Sequence, residues 1–239
     1  MSGFFVYNTP LFFCPDQRKF YYDILSSTIE IMASDPLEIL FGNQARVKLL
    51  RFFLFNPSTD FTFDEISRRA RLVRRTARTE MNALERAGVI KKKQIYQQLE
   101  DKDKKVRVHG YSLNKKFPEL QALQTFLFET APINGKTVLK HLRNAGPVDF
   151  VCLSGVFVRD FEQRLDLLIA MKKMSDKKIE NAIRTLESEL GMEIRFAAFS
   201  SEDLVYRVGM YDKLTRDVFD YPHQIIVDRI AIKDELPRR

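Results

Sequence analysis

The sequence predicts a two-domain chain of mixed α and β structure. A small helical domain closed by a polar β-hairpin comes first, followed by an α/β domain with a small mixed sheet and flanking helices. Three observations carry this prediction. Between residues 36 and 117, helical apolar spacing gives way to two extended polar runs. Beyond Gly146-Pro147, short apolar runs alternate with helical ones. The charge divides along the same line: residues 36–117 carry 19 basic and 9 acidic side chains, against 18 and 19 in residues 118–239 and 2 and 4 in residues 1–35. The net +7 therefore sits in the middle block, which points that block at a polyanion.

At 239 residues the chain has room for two cores, and 45% hydrophobic with 30% charged residues is ordinary for a folded protein. No apolar run approaches the roughly 18 residues that span a bilayer. The N-terminus MSGFFVYNTPLFFCPDQRK lacks a basic n-region, so the expected location is cytoplasmic and no membrane partner is implied. Cys14 and Cys152 give neither metal spacing nor a disulfide framework, and His109, His141 and His223 are scattered. Cys152, within VDFVCL, reads as a buried small hydrophobe.

The elements follow in order. Residues 1–35 form an aromatic extension with an amphipathic helix over Asp16–Ala33. In NQARVKLLRFFLFNP, Val47, Leu50, Phe53 and Leu54 share one helical face, and Asn56-Pro57 stops the helix. DFTFDEISRRA gives an extended Phe61-Thr62 and a short helix with Ile66 inward. After a turn at Arg71-Leu72-Val73, Ala77, Met81 and Leu84 recur at helical spacing until Gly88 ends the helix. VIKKKQIYQQLE and KVRVHGYSL then read as two strands joined by a charged turn, Asp101 to Lys104. Three helices and a polar hairpin over 36–117 are the order of a winged helix-turn-helix.

Residues 118–144 read as connecting helices, Pro118–Glu129 with the stripe Leu120, Leu123, Phe126, Leu127, and Lys136–Asn144. Residues 145–239 read as strand VDFVCLS, a loop, strand LDLLIAM, a helix from Ser175 to Leu190, strand MEIRFAAFS, a helix from Ser201 and a last strand HQIIVD. Ser175 is the expected N-cap of the long helix, with Asp176 in its first turn.

Six arginines straddle the turn and the first half of the third helix: Arg68, Arg69, Arg71, Arg74, Arg75 and Arg78. In a helix-turn-helix that half enters the major groove of double-stranded DNA, where arginine reads guanine or holds phosphate. Spacing leaves Arg74, Arg75, Thr76, Arg78, Thr79 and Asn82 on the exposed side, with only Glu80 and Glu85 as close acids. Lys91, Lys92 and Lys93 begin the hairpin, and Lys102, Lys104, Lys105 and Arg107 load its tip and return strand, suiting contact with the DNA backbone or minor groove. A homodimer is the expectation from the two-half-site logic of such readers.

MNALERAGVIKKK resembles the recognition-helix-to-wing passage of prokaryotic regulators of the MarR and ArsR type, over residues 38–114. VHGYSLN and LFGNQARVKLLRFFLFNP are similar to segments of the subset fused to a minimal nucleotidyltransferase domain of the polymerase-β type. That resemblance implies a glycine-serine turn, an Asp-x-Asp strand and a third carboxylate on a later strand, the carboxylates holding two magnesium ions. In this chain Gly155 matches the turn glycine and Asp166 the second aspartate. Val156 stands at the serine, Arg164 at the first aspartate and Arg195 at the third carboxylate.

One carboxylate beside two guanidiniums repels a divalent cation. Asp160 and Glu162 lack the strand position to substitute. No catalytic residue, metal ligand or cofactor is assigned on this basis; magnesium and a nucleotide enter only if transfer activity survives. Asp166 is expected to pair with Arg164 or Arg195. Three readings of this domain stay open: a degenerate frame kept for dimerisation and shape, a pocket in which Arg159, Arg164 and Arg195 converge on a nucleotide or other anionic effector, and residual nucleotidyl transfer.

Overall fold

The computed structural model describes residues 35–99, 102–130 and 134–235, with side chains except at 97–99, 102–105 and 235. The helix expected over Asp16–Ala33, the aromatic segment before it, Cys14 and Pro132 lie outside the described residues.

Helix α1 (Pro36–Leu40) was not foreseen. Its start is set by Asp35, whose carboxylate accepts from the Leu37 amide at 3.0 Å, and by proline at the first position. Helix α2 (Gln44–Phe55) is capped by Asn43, whose side chain accepts from the Arg46 amide at 2.8 Å. Here the expectation of a single apolar face is corrected. Besides Val47, Leu50, Phe53 and Leu54, the helix buries Leu49, Arg51 and Phe52, because it is packed on more than one side.

Strand β1 (Phe61–Thr62) leads into α3 (Phe63–Arg69) through a capping box. The Glu65 amide donates to Thr62 Oγ1 while the Glu65 carboxylate accepts from the Thr62 amide. Helix α4 (Arg74–Arg86) follows the turn and buries Ala77, Met81 and Leu84 as the spacing predicts. Strands β2 (Ile90–Leu99) and β3 (Lys102–Leu113) form the wing, and β1 completes a sheet of order β1-β3-β2. The charged turn expected over Asp101–Lys104 is shorter: Lys102 already pairs with Leu99, past a bulge at Gln98/Leu99, and the ladder runs on through Lys105 opposite Gln98. The helices and the antiparallel hairpin thus follow in the expected order, with one core formed around Phe53, Ile66, Met81 and Ile90.

The segment between the domains divides. Helix α5 (Leu120–Glu129) sends Leu127 into the first core, while α6 (Gly135–Arg143) sends Val138 and Leu142 into the second. Strands β4 (Phe150–Leu153), β5 (Leu167–Met171), β6 (Phe196–Ser200) and β7 (Gln224–Asp228) form a mixed sheet of order β6-β5-β4-β7, in which only β5 and β6 run parallel. Helix α7 (Asp176–Leu190) and α6 cover one face. Helices α8 (Ser201–Gly209) and α9 (Lys213–Asp220) cover the other through Leu204, Val208 and Val218. With both faces covered, β4 and β5 are apolar at every position instead of alternating. Cys152 lies in β4 with no exposure, and burial pushes its thiol up to about 12, which keeps it an inert core residue at neutral pH.

Three details differ from expectation. Ser175 occupies the N-cap position of α7, but its side chain makes no capping bond. Strand β6 begins at Phe196 and not at Met192. Helix α9, capped by Asp212, and the short α10 (Ile232–Glu235) were unforeseen. No helix among the described residues is long and apolar enough to cross a membrane.

The two domains are docked. Asn56 Nδ2 donates to the Gly191 carbonyl at 2.7 Å, and Arg51, 2% exposed, donates to Asp35 at 2.8 Å and to the Glu189 carbonyl at 3.3 Å. Beside this seam Glu187 accepts from the Ile194 amide at 2.9 Å, and burial raises its carboxyl pKa above the ordinary 4.5. A raised carboxyl stabilises the fold fully below the unfolded value and loses that contribution as pH rises through the folded value. Glu187→Gln is therefore expected to raise the urea midpoint at pH 7 and leave it unchanged at pH 4; a midpoint lowered at pH 7 contradicts this account.

Candidate nucleic-acid interface and the Asp166 site

Helix α4 is built as a face. With Ala77, Glu80, Met81 and Leu84 inward, the opposite stripe is Arg75, Thr79, Asn82 and Arg86, at steps of four, three and four residues, all exposed. Arg75, Asn82 and Arg86 make no side-chain hydrogen bond, ion pair or ring contact among the described residues. The Thr79 hydroxyl donates back to the Arg75 carbonyl at 3.1 Å. Exposure is that of the whole docked chain, so the C-terminal domain does not cover the stripe. Arg86 was missed by the sequence reading, although its place four residues after Asn82 would have found it.

The other arginines of the cluster differ among themselves. Arg74 pairs with Asp64 and lies 5.2 Å from the Phe63 ring centroid, and Arg78 stacks on the same ring at 4.4 Å. These two flank the stripe toward α3, and Thr76 is exposed on the other side. Arg68 is exposed. Arg69 turns away from α4 onto the rings of Phe52 and Phe61 and pairs with Glu193 at 3.1 Å. Arg71 donates to Asn181 Oδ1 at 2.8 Å. Arg69 and Arg71 thus belong to the domain seam.

The acid count also changes. Asp64 is a partner that the sequence reading omitted. Glu80 points inward, accepting from Arg46 Nε at 2.7 Å and Asn43 Nδ2 at 2.9 Å, and so fastens α4 to the start of α2. Neither change neutralises the outer stripe.

On the wing, Lys91, Lys92 and Lys93 are exposed; Lys93 pairs with Asp60, and Arg107 stacks on the exposed Tyr96 at 5.8 Å. Lys102, Lys104 and Lys105 sit in β3 by backbone position, and their side chains lie outside the described ones.

In the C-terminal domain, Gly155 opens a 3-10 turn (Gly155–Val158) after β4, Asp166 immediately precedes β5, and Arg195 immediately precedes β6. Because β4, β5 and β6 are neighbours in the sheet, the three meet. Asp166, with no exposure, accepts from the Val156 amide at 2.9 Å, from the Arg195 amide at 2.8 Å, and from Arg195 Nε and Nη2 at 2.9 and 2.8 Å. The bonds to Asp166 raise the Arg195 guanidinium pKa further above its ordinary value. Gly155 has φ +52°, and a Cβ there would fall 2.0 Å from Asp166 Oδ1, so this glycine clears the buried carboxylate.

Asp166 is thus paired with Arg195, not with Arg164, which reaches Asp217 on α9 at 3.4 Å. Arg159 stacks over Phe128 at 5.6 Å. The expected convergence of Arg159, Arg164 and Arg195 on one pocket is not what the side chains do: each has a separate partner. A pocket of about 330 Å³ next to the turn is lined by Arg164 alone of the three, together with Asp160, Glu162, Lys213 and Asp217.

The donor set does not fit a magnesium pair. Both oxygens of Asp166 are occupied by N–H groups, the Arg195 guanidinium stands against them, and among the described residues no three His, Cys, Asp or Glu side chains group as metal ligands. Comparison with family models, characterised proteins and solved structures returns no match for this chain.

Proposed function

We propose that the protein is a sequence-reading DNA-binding regulator whose C-terminal domain has the frame, but not the ligand set, of a nucleotidyltransferase. The observation that carries this is the exposed stripe Arg75, Thr79, Asn82 and Arg86, whose arginines and asparagine have no side-chain hydrogen bond or ion pair among the described residues, on the third helix of a winged helix-turn-helix arrangement, with lysines on the adjoining hairpin. Such a helix presents arginine to guanine and asparagine to adenine in the major groove, while the wing lysines hold phosphate. Support for the second half of the proposal is the Val156–Asp166–Arg195 cluster, where N–H donors fill the acceptors that a metal would use. Two copies on two half-sites are the expected binding form.

The test is DNA affinity by fluorescence anisotropy, on duplexes selected by the protein from a random pool and on unselected duplex, between 50 and 200 mM salt. Arg75→Ala and Arg86→Ala are each expected to cost about 1–3 kcal/mol or, where the contact is to phosphate, to lower the salt slope by about one. Asn82→Ala is expected to relax sequence preference more than it lowers affinity. Arg74→Ala, which loses an arginine already paired with Asp64, is expected to have the smallest effect. Equal affinity for selected and unselected duplex removes the sequence-reading claim, and full affinity in an Arg75→Ala/Arg86→Ala double variant removes the assigned face.

A further inference from the structure

The seam between the domains holds a cleft of about 970 Å³, open to solvent, with the helix-turn-helix on one side and α7 with the loop after it on the other. The first wall carries Arg68, Arg69 and Arg71; Arg184 of α7 faces them. Phe52, Phe61 and Leu72 supply an apolar lining, to which Met192 adds from the opposite side.

Each acid of the cleft has a partner, and Arg184 pairs with Glu180 at 3.4 Å. Glu65 closes the capping box on Thr62, Glu187 accepts from the Ile194 amide, and Glu193 pairs with Arg69. Arg71 meets only a neutral amide, Asn181, and Arg68 has no ion-pair partner among the described residues. Cationic capacity is left over where it adjoins aromatic surface. Arg69 already shows how the two combine, its guanidinium lying 5.3 and 5.2 Å from the ring centroids of Phe52 and Phe61.

An independent observation lies in the same wall. Ser67 lines the cleft at 7% exposure, and its hydroxyl is buried with no hydrogen-bond partner among the described residues. A buried hydroxyl left unpaired costs about 1–3 kcal/mol, which a water or a ligand group that completes it relieves.

We infer that this cleft is a binding site for a small organic anion, a phosphate or carboxylate carried on an apolar or aromatic body. The anion lies against Arg68 and Arg71, its body against Phe52, Phe61 and Leu72, and Ser67 Oγ donates to it. Bidentate guanidinium recognition suits either anion, and the mixture of apolar lining with a few convergent polar groups is that of a small-molecule site. The site lies apart from the Asp166 cluster. Both domains line it, so an occupant bridges the seam next to the turn that leads into α4.

The experiment is calorimetric titration of phenyl phosphate into the full chain without DNA, so the result stands or falls separately from the DNA reading. One saturable site per chain is expected, with inorganic phosphate and benzyl alcohol each binding at least about tenfold more weakly, since each lacks half of the recognised chemistry. Ser67→Ala is expected to weaken phenyl phosphate about five- to tenfold while leaving the denaturation midpoint unchanged or raised, because it removes an unpaired hydroxyl. Arg68→Gln, an exposed position, is expected to weaken it about tenfold. Absence of saturable binding, benzyl alcohol binding as tightly as phenyl phosphate, or undiminished binding in either variant overturns the proposal.

Discussion

Asp166→Ala is expected to destabilise the C-terminal domain by about 3–5 kcal/mol, the range for removing one partner of a buried, hydrogen-bonded ion pair. The carboxylate has no exposure and accepts four N–H bonds. Its loss leaves the amides of Val156 and Arg195 without acceptors and the Arg195 guanidinium without its counter-charge. It also unties the turn after β4 from the approach to β6, since Asp166 is the single group bonded to both. Asp166→Asn keeps the shape and one acceptor oxygen but loses the charge and turns an amide N–H₂ toward donors, so an intermediate loss is expected. Urea denaturation of both variants checks this. A carboxylate held for a metal behaves oppositely, because active-site groups are kept at a cost in stability and their removal is neutral or stabilising. An unchanged or raised midpoint in Asp166→Ala would therefore sink the structural role assigned to this residue and return it to the candidates for chemistry.

The same cluster shows what sequence can and cannot convey. That Gly155 and Asp166 occupy corresponding places was legible from the alternation of apolar runs, since consecutive strands tend to lie side by side, while the place of Arg195 beside them came from the resemblance. That Asp166 chooses Arg195 over Arg164 was not. Arg164 is the nearer in sequence, Arg195 lying 29 residues from Asp166, and the choice rests on Arg164 lying across from Asp217 on α9, a helix the sequence reading did not see. Its start signal, Asp212 ahead of Lys213-Leu214, was present, but eight residues with few apolar positions give too weak a period.

On α4 the inward apolar positions followed from spacing alone, because one strongly one-sided helix needs no knowledge of its neighbours, whereas the inward Glu80 did not. The arginine cluster before it could not be sorted that way. Arg69 and Arg71 are as basic as Arg75, and only the docked second domain, through Glu193 and Asn181, separates the seam from the exposed stripe. The all-round burial of α2 has the same origin: its sequence carries apolar residues at nearly every step, and one face of them belongs to a domain more than a hundred residues away.

That docking is itself open to a decisive substitution at Gly191, the residue that ends α7. It sits at φ +80°, and a Cβ there would come within 2.5 Å of the Arg51 carbonyl carbon and the Phe52 amide nitrogen. These are backbone atoms in the middle of a buried helix, so they cannot swing aside as a side chain tip would. Gly191→Ala is expected to cost about 2–5 kcal/mol from left-handed strain and overpacking together. The loss falls on the seam, because each domain keeps its own core. The Asn56–Gly191 bond and the Arg51 contact to the Glu189 carbonyl are the first to go. Denaturation followed by circular dichroism and by hydrogen exchange is expected to change from one transition to two, with early exchange along α2. A single, unshifted transition would show that the domains are not coupled through this contact. The stripe proposed to read DNA provides the internal control: Arg75, Asn82 and Arg86 lie on the surface that the second domain leaves uncovered. Affinity for selected duplex is therefore expected to stay within about twofold of the native chain below the first transition, as for two surfaces that share no contacts. A large fall in affinity at that temperature would mean that the placement of α4 depends on the seam, making the docked C-terminal domain part of the DNA-reading device and not simply its neighbour.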